Sequence, residues 1–134
     1  MPLTKDRDTK TRAGTDFVDT VAATAKIFAG AIVALNAAGD AVPASAIAAQ
    51  RTRGVAQETV DNTSGAAGAK SVPTRRGTYR FKNSAAADLI ARADIGNSCY
   101  VVDDETVAKT SNASARPIAG VIRDVDSGGV WVEI

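Results

Sequence analysis

Histidine is absent from the 134 residues. With it go the side chain most often used as general base, the proton shuttle that works near neutral pH and the commonest metal ligand. Serine, threonine and aspartate are plentiful, but without a base partner none can be nominated as a nucleophile. The chain therefore reads as a non-enzyme, with no catalytic residue, metal or cofactor. Cysteine occurs once, at Cys99, which excludes an internal disulfide, fits intracellular synthesis and predicts a buried thiol acting as a small hydrophobe. An excess of charge is missing too, since 16 lysines and arginines face 15 aspartates and glutamates, for a net charge of +1. No long-range field draws such a chain to nucleic acid or anionic lipid, so a protein surface is the expected partner. The longest apolar run, Ile27 to Leu35, is far shorter than the roughly 20 residues of a membrane helix. The first residues lack the charged-then-apolar order of a signal peptide, and a soluble, unexported protein is predicted.

What is present is enough for one core. At 45% hydrophobic residues the length suits a single domain, here residues 15–134, with an appended arm over residues 1–14. The arm holds Lys5, Asp6, Arg7, Asp8, Lys10 and Arg12 around one sizeable apolar group, Leu3. It cannot bury enough surface to offset the entropy of ordering and is predicted to be mobile until it lies along a partner.

The cleanest strand-and-turn grammar lies at the C-terminal end. Cys99 to Val102 is a β-prone tetrad closed by Asp103 and Asp104, and Thr106 to Lys109 reads as its return strand. Pro117 to Val125 predicts a longer strand, with Ile118, Gly120 and Ile122 on one face and Ala119, Val121 and Arg123 on the other. Asp126 to Gly129 supplies a hairpin turn, after which Val130, Val132 and Ile134 face the core. Thr74 to Asn83 alternates as a half-buried strand, with Arg76, Thr78, Arg80 and Lys82 opposite Arg75, Gly77, Tyr79, Phe81 and Asn83. Ser84 to Ala93 predicts one or two helical turns with Ser84 as N-cap, and Val60 to Lys70 predicts a surface loop.

The alanine-rich stretch Thr20 to Ala38 has helical propensity, yet Gly30 and the branched Val21, Ile27, Ile32 and Val33 argue against a helix. An internal comparison favours strands. Gly30 opens a run to Leu35, a turn over Asn36 to Asp40, then Ala41 and Val42; Gly96 opens a run to Val102, a turn over Asp103 to Glu105, then Thr106 and Val107. Arg53 to Ala56 echoes Ala119 to Ile122 at the same offset that separates Gly30 from Gly96. One hairpin-plus-strand unit is thus predicted to occur twice. The fold class expected is all-β, a β-sandwich or jelly-roll-like domain with at most one short helix.

Three apparent motifs dissolve on inspection. Gly65 to Ser71 has the outline of a phosphate loop, but Ala69 stands where glycine is needed and Val72-Pro73 offers no helix N-terminus. Asp124 and Asp126 begin like a calcium loop without its twelfth-position glutamate, and Asp103 to Glu105 reads as turn residues. Arg75, Arg76, Arg80 and Lys82 form a basic patch interleaved with Tyr79 and Phe81. The rings point away from Arg80 and Lys82, so stacking on nucleic acid is not expected, and contact with an acidic protein surface is the alternative to a solvated face.

Lys26 to Pro43 (KIFAGAIVALNAAGDAVP), Arg53 to Val60 (RGVAQETV), Arg76 to Ser84 (RGTYRFKNS), Asp94 to Lys109 (DIGNSCYVVDDETVAK) and Ala119 to Ile134 together resemble the small cement, or decoration, proteins of tailed-phage heads. The resemblance covers roughly Phe17 onward. It implies a β-sandwich or jelly-roll-like capsid subunit on the outer surface of the virion, made in the host cytoplasm. Such a subunit forms a small homo-oligomer, a dimer before a trimer, and bridges major capsid proteins of an HK97-type shell, with no membrane and no direct nucleic acid among its partners. The family offers no catalytic residues to transfer. The expected contact residues are Leu3, Lys5, Arg7, Lys10 and Arg12 of the arm with Arg75, Arg76, Arg80 and Lys82. The alternative is a β-sandwich module that binds carbohydrate or a cell surface. Such modules also do without histidine, but this one has few rings, and most sit at predicted inward positions.

Overall fold

A computed structural model describes residues 2–134, so Met1, the first residue of the predicted arm, lies outside it. The fold is all-β, as expected. The strands are β1 (Asp16–Thr20), β2 (Lys26–Ile27), β3 (Ile32–Leu35), β4 (Ala41–Pro43), β5 (Arg51–Ala56), β6 (Val60–Asp61), β7 (Ser71–Arg75), β8 (Thr78–Phe81), β9 (Ser98–Val101), β10 (Val107–Ala108), β11 (Ile118–Asp126) and β12 (Gly129–Glu133). They form two five-stranded antiparallel sheets, ordered β1-β7-β5-β3-β4 and β10-β9-β11-β12-β8, and a small ribbon of β2 with β6.

The two sheets are one design used twice. Moved along by the offset from Gly30 to Gly96, Ile32–Leu35 becomes Ser98–Val101, and the pairs Ile32 on Val55, Val33 on Gly54 and Ala34 on Thr52 become Ser98 on Val121, Cys99 on Gly120 and Tyr100 on Ile118. The same shift carries Leu35 on Ala41 to Val101 on Val107. The outer strands repeat as well: Asp16 on Arg75 and Asp19 on Val72 recur as Thr78 on Glu133 and Phe81 on Val130. Loop bonds follow suit, since Gly30 N donates to Ala56 O at 2.9 Å and Gly96 N to Ile122 O at 2.8 Å. Both glycines have positive φ, 86° and 97°, where a side chain would be strained. In each unit a parallel bridge, Val21 to Ala41 or Lys82 to Thr106, joins the ends of the two edge strands, so each sheet curls towards closure.

A bulge recurs with the register. Arg53 in β5 and Ala119 in β11 are the extra residues where pairing slips, and the glycine that follows each lets the last strand of the unit come close. A Cβ on Gly54 would stand 2.9 Å from Arg75 O, and one on Gly120 would stand 2.2 Å from the equivalent Glu133 O. This close approach is the physical reason for the paired Arg-Gly-Val and Ala-Gly-Val sequences.

Two buried clusters follow. Val33, Ala41, Ala56 and Val72 on one face of the first sheet pack with Ile27 and Val60 of the ribbon. The equivalent residues of the second sheet, Cys99, Val107, Ile122 and Val130, form the other cluster, joined there by Ile32, Ala34 and Val55 from the opposite face of the first sheet. The units therefore pack head to tail, the outer face of the first against the second, and β3 is buried on both sides.

Four expectations need correction. Ser84 caps nothing: the stretch contains two single 3-10 turns, Ala86–Asp88 and Arg92–Asp94, that start from Ala85 and Ala91, while Ser84 Oγ donates to Val107 O at 2.8 Å. The predicted strand 74–83 is two strands that belong to different sheets and break at Arg76-Gly77. Simple alternation fails in β11, because bulges at Ala119 and Arg123 put Ala119 and Ile122 in the core and leave Ile118 outside. The expected loop 60–70 begins as strand β6, and its Asn62 is buried. The Asn62 amide donates to Ala22 O at 2.9 Å and to Ala66 O at 3.0 Å, and pins the loop to the unit.

The glycine approach predicts an ordered pair of effects. Gly120→Ala should lower stability by about 3 kcal/mol and Gly54→Ala by about 1–2 kcal/mol, the usual range for forced overpacking. Urea unfolding of the two variants checks this, and equal stability of Gly120→Ala and the wild type would contradict the close approach.

Candidate interaction surface

The arm is the first candidate. Residues 2–14 carry no strand or helix and are exposed, with Leu3 73% accessible. The side chains of Lys10 and Asp8 pair within the arm, and the nearby cations Lys5 and Arg7 point to solvent. At its root, Arg12 lies 5.4 Å from the centre of the Phe17 ring.

The same ring takes Arg53, whose guanidinium carbon lies 3.8 Å from its centre. Arg53 also donates from Nε to Asp19 Oδ2 at 2.8 Å and from Nη2 to Asp19 Oδ1 at 3.2 Å. Their side chains are 28% and 15% accessible, so this is a largely shielded, two-pronged ion pair stacked on an aromatic face. The duplication shows what is unusual about it. The equivalents of Asp19 and Arg53 in the second unit are Phe81 and Ala119, both in the core. The first unit thus has an ion pair where the second has hydrocarbon, and Arg12 at the root of the arm shares the Phe17 ring with Arg53. Spacing alone did not reveal this, because Asp19 and Arg53 are far apart in the chain and only the repeat aligns them with core positions.

The expected basic patch is not one surface. Arg75, on the first sheet, donates from Nε to Asp16 Oδ1 at 2.8 Å; this bond raises the arginine's pKa and lowers that of Asp16. Arg76, between the sheets, donates to the backbone oxygen of Ile134 at 3.4 Å. Arg80 lies 5.8 Å from the Trp131 ring centre on the second sheet. Lys82 bonds Glu105 Oε1 at 2.7 Å, and that contact raises its pKa. Arg75 and Lys82 are paired with carboxylates while Arg76 and Arg80 keep their charge, so an acidic surface would meet separated cations rather than one positive patch.

The outer face of the second sheet is the surface that sequence reasoning missed. Cross-strand pairing sets three rows on it: Ala108, Tyr100 and Ile118; Ser98, Val121, Glu133 and Thr78; and Asp124, Trp131 and Arg80. Ile118 is 56% accessible, and Tyr100, Val121 and Trp131 are half-buried. Polar groups run between and around them, with Glu133 in the central row. Arg123 bonds Glu133, and Trp131 Nε1 donates to Asp126 Oδ2 at 2.9 Å, which holds that carboxyl below the usual aspartate range. The signal that could have found this face was the repeat itself, because Ile32 and Val55 of the first unit become Ser98 and Val121 here.

The remaining candidates have structural employment. Cys99 is buried, its thiol pushed up to about 12 by burial while it donates to Gly120 O at 3.7 Å. Lys70 of the pseudo-phosphate loop donates to Asp61 O at 2.6 Å. Asp124 accepts from Arg92 at 3.1 Å. Burial and the neighbouring Asp103 and Glu105 raise the pKa of Asp104. Among the described residues no group of three or more His, Cys, Asp or Glu could hold a metal ion, and no helix is long and apolar enough to cross a membrane.

The Asp19–Arg53 pair yields a direct test. Asp19→Ala or Arg53→Ala leaves one shielded charge unpaired and should cost about 1–2 kcal/mol. The double variant Asp19→Phe with Arg53→Ala, which copies the second unit, should lose less than the two single losses combined, as read by thermal and urea unfolding. Set beside known proteins, the chain matches no family model, no curated protein and no solved structure.

Proposed function

We infer that this chain is a structural decoration, or cement, protein that binds the outer surface of a tailed-phage head as a small homo-oligomer. There it bridges neighbouring major capsid subunits of an HK97-type shell. The resemblance of Phe17 onward to that class motivates the reading. The observation that carries it is the arrangement of surfaces: an exposed arm of alternating charge leaves a doubly curled β body beside the Asp19–Arg53 ion pair and separate surface cations. Surfaces of this kind act by area and multiplicity. Each contact is modest, and linking two of them in one oligomer makes the second effectively intramolecular. The arm supplies reach, ordering on a neighbour as an added strand or an extended segment. Many copies holding subunit boundaries would then resist outward pressure from packaged DNA.

The second reading, a carbohydrate- or cell-surface-binding module, draws on Trp131 and Tyr100 sharing one outward face. Sugar stacking needs a free ring. Trp131 already has Arg80 beside it and its indole N–H committed to Asp126, which weighs against that use.

Removal of residues 1–14 should leave the melting temperature within about 2 °C of the full chain, because exposed arm residues contribute little to folding, while binding to empty heads falls at least about tenfold, as for the loss of one arm of a multivalent contact. Co-sedimentation with heads measures the second quantity. Undiminished occupancy by the truncated chain would contradict the role of the arm, and a glycan-binding screen with a positive result would favour the second reading.

A further inference from the structure

The half-buried ring of Phe17 carries two guanidinium groups. Arg53 places its guanidinium carbon 3.8 Å from the ring centre and Arg12 places its own at 5.4 Å, so two like charges share one ring. Arg53 is balanced, because its Nε and Nη2 donate to Asp19. Arg12 repeats the arrangement without the acid. The acids within four residues of it are spent, Asp8 on Lys10 and Asp16 on Arg75, and Asp19 is spent on Arg53. A second cation on an occupied ring is attracted by the ring face and repelled by its neighbour. A carboxylate beside both would relieve that repulsion.

The duplication shows that the cations are a feature of this unit and not of the fold. The equivalent of Phe17 in the second unit is Tyr79, which has the ring of Phe81 beside it, 6.4 Å between centres, where Phe17 has Asp19 and Arg53. The donors that remain select the occupant. Arg53 spends Nε and Nη2 on Asp19, so its Nη1 is left, and Arg12 keeps its whole fork of N–H groups. A planar carboxylate takes two parallel bonds from such a fork, as Asp19 does from Arg53. Phosphate could take the same bonds, but a net charge of +1 provides no field to hold a nucleic acid. The fitting occupant is therefore an acidic side chain on a protein surface.

We propose that Arg12 and Arg53, stacked on Phe17, form a receptor for one aspartate or glutamate side chain of the protein partner, with Arg12 supplying the two-pronged bond. The receptor deepens the bridging role above and rests on that reading for the identity of the partner. It gives the root of the arm a defined contact, while residues 2–11 remain to reach further along the same surface.

Titration of the isotope-labelled full chain with an acetylated tetraglutamate peptide, without heads, tests the proposal by nuclear magnetic resonance. The Nε–H groups of Arg12 and Arg53 and the Phe17 ring should show a saturable response in the millimolar range. Arg12→Gln should weaken it at least about threefold, and Arg12→Lys, which keeps the charge and loses the fork, should weaken it by about as much. Arg51→Gln, an equal change of net charge at an exposed arginine elsewhere, should leave it unchanged. No saturable response at these groups, or one that Arg12→Gln leaves intact, would overturn the proposal. Tighter binding of inorganic phosphate or oligothymidylate than of the peptide would overturn the choice of a protein carboxylate. Peptide binding by a chain that ignores heads refutes the decoration role alone, and head binding by a chain that takes no peptide refutes this proposal alone.

Discussion

The structure depends on covering the outer face of the first sheet. Ile32, Ala34 and Val55 point away from the cluster that holds their neighbours Val33, Ala41 and Ala56, and they are buried only in company with residues of the second unit. Burial of side chains such as Ile32 and Val55 stabilises by about 1.5–3 kcal/mol each, so the first unit alone would expose an apolar face. The backbone joins in: Ile32 N donates to Asp104 O at 2.8 Å and Thr52 Oγ1 to Ile118 O at 2.7 Å. Two curled sheets that could have been beads on a string are thereby committed to one shared core.

That commitment is asymmetric, and the asymmetry distributes the roles. Head-to-tail packing covers Ile32, Ala34 and Val55 on one outer face and leaves the other, so the second sheet presents Tyr100, Ile118 and Trp131, while on the first sheet Val18 at the edge stays 70% accessible. In the first unit, Asp19 and Arg53 replace the Phe81 and Ala119 of the second, and the arm root at Arg12 shares the Phe17 ring with Arg53. A duplicated scaffold thus carries two different surfaces, each made by exchanging side chains at equivalent positions while the register stays fixed.

Much of this scaffold was legible in the sequence because turns and glycines are local signals. Gly30 and Gly96, the turns after Leu35 and Val102, and the Gly-Val pairs in β5 and β11 disclosed one constant offset for the central hairpin and strand of each unit. The inward set Val130, Val132 and Ile134 was readable from alternation. Alternation misled where bulges intervene, since one extra residue at Ala119 or Arg123 flips the faces beyond it. It also misled between Arg75 and Thr78, where a period of two runs unbroken across a change of sheet. Asn62 looked like a loop residue because its environment is made by carbonyls distant in the chain, such as that of Ala22. The cations of the basic patch were identifiable, but their partners Asp16, Glu105 and Trp131 are distant in sequence, and only the fold pairs them.

Native-state hydrogen exchange tests the shared core most directly. If the two units form one cooperative structure, the amides of Val33 and Val55 in the first sheet and of Val101 and Ile122 in the second should exchange through a common opening of the same free energy, and they should respond equally to added denaturant. Two distinct sets, with the first sheet opening while the second stays protected, would contradict the claim that the second unit holds the first together.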